Sequence, residues 1–153
     1  KTLSKHYNIP LIINDRLDIA LAIDADGLHI GQDDMPIEVA RKLIGKNKLL
    51  GYSVSNIKEA IYGEKNGADY LGAGPVYPTG SKADAGKPIG PDGLKLIKNN
   101  VSIPIVGIGG ISLSNIKQVK SSGIDGISLI SAILGNDDIE NSSKILLNKW
   151  KNI

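Results

Sequence analysis

Short runs of apolar residues alternate along the whole chain with stretches in which apolar positions recur at helical period. The apolar runs predict six strands, at residues 10–14, 27–30, 49–53, 70–76, 105–108 and 126–130. The stretches between them predict amphipathic helices near residues 16–23, 36–44, 57–66, 91–99, 114–122 and 138–151. Continuous Val, Ile and Leu runs that alternate with helices are typical of a buried parallel sheet.

A similar tetrapeptide precedes or opens three of the predicted strands: Asp24-Ala25-Asp26-Gly27, Gly67-Ala68-Asp69-Tyr70 and Gly123-Ile124-Asp125-Gly126. The glycine, where present, suits the left-handed end of a helix, and the acid opens the next strand. We interpret the three tetrapeptides as one helix-to-strand joint that is used repeatedly. Repeated βα units with tight joints favour a barrel over an open sheet, and polar, Gly-rich and Pro-rich segments follow the strands, where such barrels build active sites.

Six strands are fewer than a complete barrel requires. A (β/α)8 TIM barrel needs eight strands over roughly 200 residues or more, whereas this chain has 153 residues and begins with what resembles the end of a helix. We therefore expect one α/β domain over residues 1–153, a TIM barrel that lacks its first two βα units. Such an arc would expose two strand edges, an aggregation hazard unless a partner covers them, and a homo-oligomer is left open.

Composition narrows the class of partner. The net charge is only +2, the basic residues are dispersed, and there are one Trp, five Tyr and no Phe, which argues against nucleic-acid binding. No apolar stretch approaches the 18 or so residues of a membrane span. The absence of Cys excludes disulfides, thiolate metal sites and Cys nucleophiles. The first residues contain no apolar core of a signal peptide, so we expect a cytoplasmic protein. Small anions are the partners that the composition leaves open.

The candidate chemistry begins in the segment VYPTGSKADAGK, residues 76–87. Thr79, Gly80, Ser81 and Lys82 supply hydroxyls, a positive charge and little bulk, which suggests a phosphate clamp, although a solvated turn would use the same residues. Two later segments, GIGGI at 107–111 and GISLISAI at 126–133, each place an apolar run before a helical stretch. Such junctions direct backbone N–H groups towards an anion.

These segments, taken with three earlier ones, match a known family. In order, the motifs are IIND (12–15), GLHIGQDDMP (27–36), GYSVSN (51–56), GPVYPTGSK (74–82), and GIGGI (107–111) with LISAI closing. In this order and spacing the chain resembles the thiamine-phosphate synthase family, also called thiamine-phosphate pyrophosphorylase, over essentially its whole length. The Gln-Leu-Arg-Glu-Lys strand of that family, which would precede Lys1, is not in this sequence.

The resemblance implies a (β/α) barrel that joins an aminopyrimidine methyl diphosphate to a thiazole phosphate and releases pyrophosphate, with a requirement for Mg²⁺. By the same resemblance, Asn14, Ser53 and Lys82 would contact the pyrimidine diphosphate, with Lys82 stabilising the departing pyrophosphate. Asp15 and Asp34 would hold the metal. The thiazole phosphate would be bound by Thr79, Gly80, Ser81, Gly110, Ile130 and Ser131.

Several of these residues have an alternative role. Asp15 and Asp34 could cap the helices that follow them, and the adjacent Asp33 could be the metal ligand instead of Asp34. The Ser53 hydroxyl could be satisfied by neighbouring backbone. His29 could reach the pyrimidine from the barrel interior, or it could be a hydrogen-bonded core histidine.

The roles of two further positions, Ser55 and Gly110, also stay open. Many family members have His two residues after the Ser53 position, where this chain has Ser55, so that substrate contact is in doubt. Gly110 could serve a tight turn that needs a positive φ, which is compatible with exposing amides to a phosphate.

Two other functions compete with the transferase. A thiazole tautomerase of the same superfamily would bind the thiazole phosphate but would need neither a metal pair nor a diphosphate lysine, so Asp15, Asp34 and Lys82 count against it. A non-catalytic phosphate-binding fragment is the other alternative, because the expected upstream strands would also grip the diphosphate.

Overall fold

Six short strands lie side by side in the computed structural model of the chain, which describes residues 1–81 and 86–153. All neighbouring strands pair in parallel, and their order across the sheet is their order along the chain. This is the strand arrangement of a (β/α) barrel, present here as a half-barrel. The strands are β1 (Ile12–Asn14), β2 (Gly27–Ile30), β3 (Leu49–Val54), β4 (Tyr70–Ala73), β5 (Ile105–Ile108) and β6 (Gly126–Ser128).

Helices connect the strands close to the predicted positions, and a helical turn at the start of the chain is also present. They are α1 (Thr2–His6), α2 (Leu17–Ala22), α3 (Ile37–Ile44), α4 (Ile57–Lys65), α5 (Gly90–Lys98), α6 (Ile116–Lys120), α7 (Ser131–Leu134) and α8 (Ile139–Lys151). The helical period alone does not indicate α7, whose 4 residues are too few to show one, but the segment GISLISAI predicted a helical stretch here and α7 confirms it. No helix within the described ranges is long and apolar enough to cross a membrane.

The two faces of the sheet differ in burial. Leu28, Ile30, Leu50, Leu71 and Ile105 are fully buried and form one core with the apolar faces of the helices. Burial of each such side chain contributes about 1.5–3 kcal/mol. Because side chains alternate between faces along a strand, the residues between these positions line the opposite, concave face. That face is built from glycines and polar or half-buried side chains, including Gly27, His29, Gly51, Ser53, Tyr70 and Gly72.

Two strands end earlier than their apolar runs predicted. β4 ends at Ala73 rather than residue 76: the Gly74 N–H still donates to the Val54 carbonyl at 3.0 Å, but Pro75 has no N–H with which to continue the ladder. β6 ends at Ser128 because the Ile130 carbonyl accepts the N–H of Leu134 at 2.8 Å and so begins α7. Both apolar runs continue into loops at the carboxyl edge of the sheet.

The repeated tetrapeptide forms the same joint at three places, as predicted. Its first residue has a positive φ each time, 50° at Asp24, 99° at Gly67 and 82° at Gly123. The aspartate at its third position then accepts the backbone N–H at the start of a neighbouring strand. The three bonds are Leu11 N–H to Asp26 at 2.8 Å, Leu50 N–H to Asp69 at 2.7 Å, and Ile105 N–H to Asp125 at 2.8 Å.

The joint aspartates are Asp26, Asp69 and Asp125, and two of them also form an ion pair with a basic side chain. Arg41 pairs with Asp69 at 2.5 Å, and Lys98 pairs with Asp125 at 2.7 Å. Burial raises the pKa of the Asp125 carboxyl, but the bonds from Lys98 and from the neighbouring backbone outweigh it and hold that pKa below its usual range. The joint at Asp125 therefore favours the ionised carboxylate.

Asp125→Ala should lower the free energy of unfolding by about 1–3 kcal/mol, because it leaves the Ile105 N–H without its acceptor. Asp125→Asn keeps an oxygen acceptor and removes only the charge, so its loss should stay below about 1 kcal/mol. The lowered folded-state pKa places this charge contribution above about pH 4, and it should disappear as the pH falls through the folded-state pKa. Urea unfolding of both variants across this range measures these effects, and equal losses for the two would contradict the assignment.

Candidate active site

A cavity of about 340 Å³ opens at the carboxyl ends of strands β2 to β6. In a barrel of βα units, this edge carries the loops that lead from strands into helices. Three parts of the chain that are far apart in sequence meet here. They are described residues of segment 76–87 (the clamp segment), the glycine pair after β5 and the start of α7. Of the predicted site residues, the cavity wall includes Ser53, Thr79, Ser81, Gly110, Ile130 and Ser131.

Five other described candidates are not among the wall residues: Asn14, Asp15, His29, Asp34 and Gly80. Gly80 is in the middle of the clamp segment, between two residues of the wall. Asn14 pairs with His29 in the register of β1 and β2, and Nε2 of His29 lies 2.9 Å from Oγ of Ser53. Lys82 lies outside the described residues. The predicted pyrimidine contacts Asn14, His29 and Ser53 therefore share one side of the concave face.

His29 is hydrogen-bonded through both ring nitrogens on that face. Its Nδ1 lies 3.0 Å from the Tyr70 hydroxyl, and its Nε2 contacts Ser53. Gly51 and Gly72 make room for the ring, because a Cβ at Gly51 would overlap with His29 and Tyr70, and a Cβ at Gly72 would press on His29. This matches the alternative of a hydrogen-bonded histidine. It also shows that the Ser53 hydroxyl has a side-chain partner.

Burial keeps this cluster uncharged. It lowers the pKa of His29, and the charge of Asp34 only partly opposes the shift. Burial likewise raises the pKa of the Tyr70 hydroxyl. At neutral pH the imidazole is therefore neutral and donates from one nitrogen only. Ser53 is held by a neutral hydrogen-bonding partner, not by an ionised one.

The loop after β5 packs against the loop after β4. The Val76 and Tyr77 N–H groups donate to the Ile108 and Gly109 carbonyls at 2.9 and 3.0 Å. Gly109 and Gly110 both have positive φ, 95° and 66°, and a Cβ on Gly110 would lie 2.6 Å from the Pro78 carbonyl oxygen. Both the backbone conformation and the close approach therefore require glycine. The tight turn and an exposed-amide site for phosphate are compatible here.

The two predicted metal ligands stand at the ends of adjacent strands. Asp15 directly follows β1 with a positive φ of 61°, and its N–H donates to the His29 carbonyl at 2.8 Å. Oδ2 of Asp34 accepts the Gly31 N–H at 2.7 Å. The residue at the cap position of α3 is Pro36, so Asp34 binds within its own loop instead of acting as the helix cap.

The donor set suits Mg²⁺ better than a cation that needs many protein ligands. Asp15 and Asp34 are exposed, and Asp33, next to Asp34 in the chain, lies on the cavity wall. Among residues 1–81 and 86–153, no three His, Cys, Asp or Glu side chains are grouped to hold a metal. Mg²⁺ typically uses one or two protein carboxylates and completes its octahedron with water and substrate phosphate oxygens. A carboxylate pair at this edge fits that requirement.

Two polar residues of the wall, Gln32 and Glu59, have no role that the sequence motifs predict. Gln32 donates from Nε2 to the Ser53 carbonyl at 2.6 Å and accepts the Tyr52 hydroxyl at 3.1 Å. Glu59 accepts the Ser55 N–H at 2.6 Å and the Ser55 hydroxyl at 3.0 Å. The segment Asn56-Ile57-Lys58-Glu59 has the spacing of a capping box, which could have identified Glu59. Ser55 is thus held by its own helix start.

Known proteins resemble this chain along nearly its whole length. The family model described as thiamine monophosphate synthase matches residues 1–133. A thiamine-phosphate synthase of Desulfitobacterium hafniense (strain Y51) is 57% identical over 152 residues, which are 99% of this chain and 73% of that protein. One of Clostridium novyi (strain NT) is 60% identical over 142 residues, 93% of this chain and 70% of its own length. The structure of thiamine phosphate pyrophosphorylase from Pyrococcus furiosus has a TM-score of 0.90 at 45% identity and covers 98% of this chain and 71% of that one.

His29 should take up a proton at a pH below the ordinary histidine value of about 6.5, because burial disfavours its charged form. The unfolded chain binds that proton at the ordinary pKa, so stability should fall as the pH decreases below about 6.5. NMR titration of the ring and urea unfolding at several pH values measure the two effects. His29→Gln should remove this part of the pH dependence, and an imidazole that titrates at or above the ordinary value would contradict the expectation.

Proposed function

Because the chain belongs to the thiamine monophosphate synthase family, whose members are transferases, we propose that it joins two phosphorylated heterocycles. The substrates are 4-amino-2-methyl-5-(diphosphooxymethyl)pyrimidine and a thiazole phosphate, and the products are thiamine phosphate and pyrophosphate. The observation that supports this most directly is the convergence of segments 76–87, 107–111 and 126–133 on one cavity whose wall also carries the Asp33 carboxylate. Backbone amides and hydroxyls from three segments suit the phosphate groups of the substrates.

The thiazole phosphate is assigned to the backbone-rich side of the cavity. Thr79, Gly80 and Ser81 form a tight turn in which Oγ1 of Thr79 accepts the Ser81 N–H at 3.2 Å. Gly110 lies opposite that turn across the close contact of the two loops. Ile130 and Ser131 begin α7 at the same wall, so their amides face an anion bound there.

The pyrimidine diphosphate is assigned to the side formed by β1 to β3. Asn14 and Ser53 contact the substrate in this proposal, and His29 fixes the Ser53 hydroxyl through Nε2. Lys82, assigned from the sequence, stabilises the departing diphosphate. The neutral state of His29 avoids a buried charge beside the electron-rich pyrimidine.

Asp15 and Asp34 are the proposed Mg²⁺ ligands, with Asp33 as the neighbouring carboxylate on the wall. When bound, Mg²⁺ neutralises charge on the pyrophosphate oxygens. The two aspartates come from adjacent strand ends, so they can approach a diphosphate that extends from the pyrimidine side of the cavity.

The reaction needs no general base. The C–O bond between the pyrimidine methylene and the diphosphate breaks, and the bonding pair leaves with pyrophosphate. The thiazole nitrogen supplies its lone pair to the methylene carbon, so the C–N bond forms without loss of a proton. The main demand on the protein is electrostatic stabilisation of the leaving group and alignment of the two rings. The cytoplasmic location and a homo-oligomeric state stay predictions from the sequence.

Incubation of the chain with both substrates and Mg²⁺ should release one pyrophosphate for each thiamine phosphate formed. A tautomerase-like paralogue would bind the thiazole phosphate without releasing pyrophosphate, and a non-catalytic fragment would convert neither substrate. Calorimetric titration with the thiazole phosphate, performed in parallel, separates these outcomes from a misfolded sample. A folded chain that binds this ligand and releases no pyrophosphate would contradict the transferase proposal.

Asp15→Asn should raise the Mg²⁺ concentration for half-maximal activity by about tenfold or more, because it removes one of two ligand charges. Asp24→Asn is a matched control. Asp24 is also an exposed aspartate with a positive φ, 50° against 61° at Asp15, but it precedes β2 at the opposite edge of the sheet. Metal titrations of the three proteins measure the shift, and an unaltered titration for Asp15→Asn would reject the ligand assignment.

A further inference from the structure

The Asn115 side chain bridges two backbone groups of the loop after β5 that contains Gly109 and Gly110. Its Nδ2 donates to the Gly110 carbonyl at 2.9 Å, and its Oδ1 accepts the Ser112 N–H at 2.9 Å. A backbone carbonyl can only accept and an N–H can only donate, so the amide orientation is fixed by its two partners. Asn115 is the residue before α6, but its side chain makes no capping bond to that helix. Helix capping therefore does not explain its contacts.

Hydrogen bonds to the Gly109 and Gly110 carbonyls fix the direction in which the two following N–H groups point. The Gly109 carbonyl accepts the Tyr77 N–H at 3.0 Å, and the Gly110 carbonyl accepts Asn115. The peptide bonds that follow Gly109 and Gly110 are trans, so the N–H of each next residue points away from these partners. Those N–H groups belong to Gly110 and Ile111, and both residues line the cavity. Successive N–H groups in a left-handed turn form a concave site for an anion.

We propose that Asn115 is a positioning residue that holds the Gly110 and Ile111 N–H groups for the phosphate of the thiazole substrate. The proposal rests on the function proposed above. Asn115 is not itself among the wall residues of the described cavity, so it acts through the loop and does not touch the ligand. Without the bond to Nδ2, the Gly110–Ile111 peptide can rotate, because glycine allows a wide range of backbone conformations.

Asn115→Ala should raise the KM for the thiazole phosphate roughly tenfold, which corresponds to about 1.4 kcal/mol, the size of one hydrogen bond. The KM for the pyrimidine diphosphate should stay unchanged, because none of its proposed contacts belongs to the loop that Asn115 binds. Asn115→Asp keeps the acceptor for Ser112 but loses the donor for Gly110, so it should lose at least as much. A general loss of folded enzyme would lower the maximal rate without separating the two KM values.

Asn100→Ala is the matched control. Asn100 Nδ2 also donates to a backbone carbonyl, that of Leu96 at 2.8 Å, but at the end of α5 away from the cavity. Amide NMR with inorganic phosphate as the probe gives a readout that does not need catalysis: the Gly110 and Ile111 signals should shift in the original chain and in Asn100→Ala, and much less in Asn115→Ala.

The possible failures are distinguishable. An active enzyme whose Asn115→Ala variant keeps its KM for the thiazole phosphate would overturn the role of Asn115 and leave the proposed function intact. Phosphate shifts at Gly110 and Ile111 that persist unchanged in Asn115→Ala would overturn it as well, and so would the absence of such shifts in the original chain. Absence of pyrophosphate release together with Asn115-dependent shifts would instead contradict the transferase.

Discussion

The bonds between joint aspartates and strand amides hold the register on which everything else depends. Asp26, Asp69 and Asp125 each accept the N–H at the start of a neighbouring strand. A slip of one residue in a strand would move its buried side chains to the other face of the sheet. These carboxylates therefore act at the amino edge of the sheet, but their consequence lies at the carboxyl edge, where the strand ends must meet at one cavity.

Once the register is set, glycines decide what the concave face can hold. Gly51 and Gly72 leave the space into which the His29 ring fits, with Tyr70 on one nitrogen and Ser53 on the other. Larger residues at either glycine would displace the ring. The same principle operates after β5, where Gly109 and Gly110 allow the neighbouring loop to approach at backbone distance. Small residues thus place the polar groups of the site.

The described part of the cavity wall presents backbone dipoles and hydroxyls, and the buried ionisable groups on the adjoining concave face are neutral. His29 and Tyr70 are shifted towards their uncharged forms by burial, while the carboxylates at the strand ends remain exposed. Two side-chain amides also fix backbone carbonyls of the site: Gln32 donates to the Ser53 carbonyl, and Asn115 donates to the Gly110 carbonyl. Alignment of amides that are already in place reduces the reorganisation needed when a phosphate binds.

The sequence by itself determined the strand and helix order, the parallel sheet and the repeated joint, because these follow from hydrophobic period and from local turn chemistry. The resemblance in its loops also pointed to the family that the comparisons then established. Only the tertiary structure decided where β4 and β6 end, and that His29 binds Ser53 and Tyr70. It alone revealed Gln32 and Asn115 as supports of the site. These contacts join residues or carbonyls whose positions depend on strand register and loop packing, and no local pattern in the chain encodes them.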